Sequence, residues 1–186
     1  MKLVVSGTGA SGAIYLQRLL WRIDPAQHEV HLVLGGHARE VIATEIGALD
    51  LPVGVIEHDD KSMQVPFASG SARFDAMVIA PCSMGTLARI AAGTSDNCIL
   101  RAADVFLKER RKLILVPRET PWSQIHARNA LAATEAGAVI LPASPSFYSQ
   151  PKSVDELVDT VVFRILDQLG LPVPGAFRWK EGRQET

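Results

Sequence analysis

The chain has 186 residues, 47% hydrophobic and 21% charged, and its nineteen Lys+Arg against twenty Asp+Glu give a formal net charge of -1. A chain of this length buries roughly 70% of the surface its unfolded form exposes, so it needs neither a disulfide nor a structural metal, and its neutral, unblocked charge excludes nucleic acid as the evident partner. No apolar run approaches the roughly 18 residues a membrane span requires, and no signal-peptide pattern follows Met1, so a cytoplasmic location is expected; the mean hydropathy of +0.14 is read as subunit interface in a homo-oligomer.

Short apolar, β-branched runs at 2–6, 29–34, 76–80, 112–116 and 138–141 alternate with helical patterns at 12–23, 37–46, 84–92 with 100–110, 123–135 and 154–169. Continuous apolar strands are buried on both faces, and strand-helix alternation makes a parallel sheet. The expected fold is a three-layer α/β domain over 1–170, doubly wound and flavodoxin- or Rossmann-like, with five to six strands. Residues 50–73 are mixed and turn-rich and carry no assignment. The tail, 171–186, is too short to be a domain and is expected to pack on the domain or on a neighbouring subunit. Cys82 and Cys98 have no metal-ligand spacing and read as two reduced thiols.

In open parallel sheets ligands lie beyond the carboxyl ends of the strands, and here each of those ends carries Gly, Pro or small polar residues. The first, Gly7-Thr8-Gly9-Ala10-Ser11-Gly12, is a literal GxGxxG. Its glycines let backbone approach an anion and its helix offers free N–H groups, although a plain tight turn has the same pattern. A dinucleotide site also wants an acid ending the second strand. Gly35-Gly36 stands there, which favours a mononucleotide or another flat, phosphorylated ligand. Ser11, Ser83 and Thr86 lie near helix starts, as ligand contacts or as caps.

Arg118-Glu119, between Pro117 and Pro121, is held stiffly. Glu119 is either a general acid/base or the partner of Arg118 in an ion pair. Arg101, inside an apolar helical stretch, requires an anionic partner. None of the five histidines pairs with another at ligand spacing, so no metal is expected. A Ser/His/Asp triad lacks its nucleophile elbow.

SGTGASGA at 6–13, APCSMGTL at 80–87, RAADVFLKERRKLILVPRETP at 101–121 and GAVILPASPSFYSQPKSVDELVDTVVFRILDQLG at 137–170 resemble the UbiX/Pad-type flavin prenyltransferases, and the resemblance extends to Arg178-Trp179. The FMN-dependent cysteine decarboxylases of the same fold carry an Asn-containing loop where this chain has Pro81 to Thr86. The resemblance implies that FMN sits against Gly9, Ala10, Ser11, Ser83, Met84, Gly85, Thr86 and Arg101. Gly35 stands where the family commonly has a flavin-bonding Ser or Thr. It further implies a dimethylallyl phosphate donor, mono- or diphosphate, gripped by Lys108, Arg118, Tyr148 and Arg164. Glu119 matches the catalytic glutamate, and Glu45 another acid of the site.

On this reading reduced FMN is prenylated at N5 and C6 without a metal. Ser11 serves as proton relay, and Trp179 either shelters the allylic cation or plugs a subunit contact. The implied assembly is a dodecamer with sites at protomer junctions, and the product is prenylated FMN for a UbiD-type decarboxylase. The alternatives are an FMN-dependent cysteine decarboxylase or a non-catalytic FMN-binding accessory subunit. A nicotinamide oxidoreductase is disfavoured by Gly35-Gly36.

Overall fold

The computed structural model describes residues 1–179. Six parallel strands, β1 (Lys2–Gly7), β2 (Glu29–Leu34), β3 (Ile56–Asp59), β4 (Ala76–Cys82), β5 (Lys112–Pro117) and β6 (Val139–Ile140), lie in the order β3-β2-β1-β4-β5-β6. The helices are α1 (Ala13–Arg22), α2 (Ala38–Glu45), α3 (Met84–Ala91), α4 (Cys98–Lys108), α5 (Gln124–Glu135) and α6 (Val154–Leu169). Alternate strand residues serve opposite faces, as the two-residue period of a strand dictates. Leu3, Val5, Leu32, Val78, Ile114 and Val116 pack under α1, α2 and α6. Val4, Val33, Met77, Ile79, Leu113 and Leu115 pack under α3, α4 and α5.

Local signals set the helix ends. Ser83, Asn97, Ser123 and Ser153 each accept a backbone N–H of the turn they precede, satisfying a donor that would otherwise be orphaned. α1 instead starts at Gly12, at φ 112°, where a side chain would be strained and would also meet the Tyr15 ring at 2.9 Å.

The five strands expected from the sequence form in the flavodoxin order. The sixth, β3, comes from the unassigned 50–73 stretch and extends the edge beside β2, completing a Rossmann-type order. The same stretch holds a single 3₁₀ turn at Pro66–Ala68. Strand order reverses between β1 and β4, which places the crevice there, at their carboxyl ends.

Candidate active site

Thr8, which the sequence reading passed over, ties the two halves of the crevice together. Its N–H and its hydroxyl both donate to the Pro81 carbonyl at 3.0 Å, and its Oγ1 accepts the Ser83 N–H at 2.8 Å. This fixes the start of α3 beside the first loop. Ser83 Oγ then accepts the Thr86 N–H at 3.2 Å and lies 3.0 Å from Thr86 Oγ1. Ser83 is therefore a cap, and it also lines a helix start whose first N–H groups have no intrahelical acceptor. Nothing lies within 4 Å of the space a Gly85 side chain would take. Two hydroxyls, open N–H groups and that space fit a phosphate.

The start of α1 differs from the expectation drawn from GxGxxG. The Glu45 carboxylate already sits on it, accepting the Gly12 N–H at 2.8 Å and the Ala13 N–H at 2.8 Å. Burial opposes this charge, but hydrogen bonds from Ser11, Gly12 and Ala13 and the nearby Arg118 outweigh it and hold the Glu45 carboxyl below its usual range. An anion at α1 would meet that carboxylate, which leaves the start of α3 as the better suited of the two helix termini for one. The loop glycines here serve close packing: a side chain on Gly9 would strike His37 Cβ at 2.7 Å.

Arg118 and Glu119 do not pair with each other. Arg118 Nε donates to the Ser11 carbonyl at 2.9 Å and its N–H to the Cys82 carbonyl at 3.3 Å, joining the ends of β1, β4 and β5. Glu119 Oε1 accepts the Thr120 N–H at 3.1 Å, and the Glu119 carbonyl accepts the Trp122 indole N–H at 3.1 Å. The Glu119 carboxylate is exposed on the loop beyond β5, available to a substrate proton.

Gly35 is buried and donates its N–H to the Gly7 carbonyl at 2.9 Å. A Cβ there would meet Ile99, Gly7 and Thr8 at 3.5 to 3.6 Å, an ordinary contact. Gly35→Ser should therefore fold normally and, where FMN lies against this position as the resemblance implies, add one hydrogen bond worth about 1 kcal/mol and tighten FMN about fivefold. Flavin fluorescence titration of the two proteins checks this, and equal affinities would remove position 35 from the flavin contact.

Other predicted site residues stand apart. Arg101, one turn into α4, donates to the Ala68 carbonyl at 3.0 Å and to Asp104 at 2.7 Å, which is the anionic partner expected for it. α4 begins where β3 ends, with the Cys98 N–H on the Asp60 carbonyl at 2.9 Å. Ten residues later, about 15 Å along the axis, Lys108 ends the helix beside Glu109 and the start of β5. That is the amino end of β5, the opposite end of the strands from Ser11 and Arg118. Tyr148, Arg164 and Trp179 line a third place, a cleft of about 840 Å³ between the 146–151 loop, the outer face of α6 and the tail. Tyr148 and Trp179 meet edge to face, ring centroids 5.1 Å apart.

Two histidines distant in sequence meet in the fold. His31 on β2 and His58 on β3 come together, ring nitrogens 2.7 Å apart, because parallel pairing joins positions far apart in sequence. Among the described residues, no group of three or more His, Cys, Asp or Glu could hold a metal ion, and no helix is long and apolar enough to cross a membrane. Cys82 and Cys98 are separate, buried thiols. Burial pushes Cys82 up to about 12, and burial with Asp60 and Asp59 pushes Cys98 up to about 11, so neither is a ready nucleophile.

A parallel sheet of this order, with an anion seat at the switch point and no acid ending β2, defines an α/β protein for a flavin-like mononucleotide. Residues 1–166 match the flavoprotein family. The chain is 47% identical to a probable UbiX-like flavin prenyltransferase of Bacillus subtilis, over 96% of this chain and 89% of that one. It is 46% identical to the flavin prenyltransferase UbiX of Pseudomonas aeruginosa, over 97% and 94%. Among solved structures, AnUbiX (PadA1) in complex with FMN and dimethylallyl pyrophosphate superposes with a TM-score of 0.90 at 42% identity, covering 98% of both chains. A dodecameric FMN-dependent UbiX-like decarboxylase from Escherichia coli O157:H7 also gives 0.90, at 43% identity, covering 97% and 100%. The chain belongs to the flavoprotein family, in the branch of the UbiX flavin prenyltransferases, and is a transferase.

Proposed function

We propose that this protein transfers a dimethylallyl group from dimethylallyl phosphate to N5 and C6 of reduced FMN, and that the prenylated flavin is passed to a UbiD-type decarboxylase in the cytoplasm. The observation that carries the reading is the switch-point crevice. There Arg118 is drawn onto the Ser11 carbonyl and not onto Glu119, whose carboxylate accepts the Thr120 N–H and stands exposed at the carboxyl end of β5. Reduced FMN, when bound, supplies the electron-rich nitrogen that attacks the allylic carbon. Ser83, Thr86 and the N–H groups of Met84 and Gly85 would hold its phosphate, with Gly9, Ala10 and Gly35 forming the wall; Arg101, held on α4 by the Ala68 carbonyl and Asp104, would reach the flavin from a neighbouring protomer. Glu45, seated on α1, keeps that helix start from competing for either phosphate and orients the Ser11 hydroxyl.

Lys108, Arg118, Arg164 and the Tyr148 hydroxyl would stabilise the departing phosphate, the task a divalent metal performs in other prenyl transfers. Trp179 would face the allylic cation and exclude the water that quenches it. Glu119 would take the proton released at ring closure, with Ser11 as relay. Lys108, the α6 cleft and the crevice occupy separate places in one protomer, so a complete donor site draws on neighbouring protomers, in keeping with a dodecamer. Residues 1–170 form the FMN-binding domain. The described part of the tail, 171–179, lines the α6 cleft through Pro174 to Trp179; the rest of the tail, 180–186, lies outside the described residues.

Anaerobic mixing of the protein with reduced FMN and dimethylallyl mono- or diphosphate should yield, by mass spectrometry, a flavin heavier by one prenyl unit, with or without a chelator. An unmodified flavin would sink the reading, and loss of product with chelator alone would sink its metal independence. Release of carbon dioxide from a peptidyl cysteine, without a prenyl donor, would point to the decarboxylase alternative.

A further inference from the structure

We infer that Asp167 is a positioning residue that couples closure of the tail to capture of the donor phosphate, an inference that rests on the reaction proposed above. Asp167 lies in the last turn of α6, and its side chain is only 16% exposed. Its carboxylate receives both terminal nitrogens of Arg178, Nη1 and Nη2, each at 2.7 Å, and Nη1 of Arg164, also at 2.7 Å. The Arg178 contact is the two-pronged kind, which fixes direction as well as distance.

Two alignments follow from this one acid. Arg164 is itself 61% exposed, and an arginine so exposed would otherwise wander among rotamers. The contact with Asp167 holds its guanidinium at the cleft wall. Arg178 is the last residue before Trp179, so pinning it delivers the indole onto the edge of Tyr148. Arg164, Tyr148 and Trp179, three groups assigned to the donor, are thus arranged through a carboxylate that need not touch the donor at all. Two guanidiniums on one carboxylate leave a net positive charge facing the cleft. The other acids lining it are engaged elsewhere: Asp159 by Arg18 and Arg22, and Glu156 by the Lys152 N–H at 2.6 Å. A phosphate arriving at Arg164 therefore meets a site that is complete only while the tail is latched.

The test is steady-state kinetics and binding on the assembled protein. Asp167→Asn should raise KM for dimethylallyl monophosphate about tenfold or more, the size of a lost charge-assisted hydrogen bond, with FMN affinity unchanged. Asp167→Glu should restore most of the loss. Arg178→Ala should raise KM by a similar factor, and the double variant should be no worse than either single one, since both break the same link. A KM within twofold of wild type in Asp167→Asn, or additive effects in the double variant, would overturn the coupling. A purely structural role would lower thermal stability and leave KM where it was. If wild-type protein makes no prenylated flavin, the reaction itself is wrong. The latch is then read from tryptic cleavage after Arg178, expected to be faster in Asp167→Asn; equal rates would overturn it.

Discussion

Glu119→Gln is expected to slow formation of the complete prenylated flavin by about 10² to 10⁴, the usual contribution of a positioned general acid or base, while FMN and dimethylallyl phosphate bind about as well as before. The substitution is clean for a structural reason. Glu119 Oε1 accepts the Thr120 N–H and its backbone carbonyl accepts the Trp122 indole, and a glutamine keeps an acceptor oxygen for the first and leaves the second untouched. Arg118, bonded to the Ser11 carbonyl, loses no partner. What disappears is the capacity to take up a proton. Flavin fluorescence gives the affinity and single-turnover mass spectrometry the rate; a wild-type rate would remove Glu119 from the chemistry.

That Glu119 stood out from the sequence reflects where the information lies. β1, β2, β4 and β5 are buried on both faces, so their apolar runs are visible without any partner, and helix starts at Ser83, Asn97, Ser123 and Ser153 are local capping chemistry. β3 was missed because Ile56-Glu57-His58-Asp59 is an edge strand with three polar residues, mostly exposed, whose order comes from pairing with β2. β6 proved shorter than its apolar run, two residues against four, as the last strand of the other edge. The loops at the strand ends were legible for the same reason as the strands.

Contacts between distant segments were not legible. Nothing near Gly12 announces that an acid 33 positions on will occupy its N–H, so GxGxxG suggested an anion seat at α1 that Glu45 already fills. Thr8 offered one signal, a hydroxyl just beyond β1 at the switch point, but its partners Pro81 and Ser83 lie more than 70 residues away. The motif that carries Lys108 in the sequence carries Arg118 too, yet the chain between them leaves α4 and runs the whole of β5, so the two lie at opposite ends of that strand. Proximity in sequence is a poor guide to proximity in a site when a strand intervenes.

Asp159→Ala is expected to destabilise the fold by about 3 kcal/mol at neutral pH. Asp159 is buried, and it accepts Arg18 Nε at 2.8 Å as well as hydrogen bonds from Arg18 Nη2 and Arg22 Nη2, locking α6 to α1. Removing one partner of such a cluster leaves uncompensated charge, here two guanidiniums facing each other. The lower end of the range for buried pairs applies because Arg22 is partly solvated and Arg18 keeps Asp155 at 3.0 Å. Burial opposes the Asp159 charge, but the hydrogen bonds and charges of Arg18 and Arg22 more than offset it, so its carboxyl titrates below the usual range. A folded-state value below the unfolded one means the stabilisation is full above about pH 4 and is lost as the pH falls through the lowered value. Urea unfolding at one fixed protomer concentration, since assembly contributes to apparent stability, should show the full gap between wild type and Asp159→Ala at pH 7. The gap should narrow only below pH 4. A gap that is the same at pH 7 and pH 3 would mean that Asp159 acts through packing and not through its charge, and that α1 and α6 are held by their apolar seam alone.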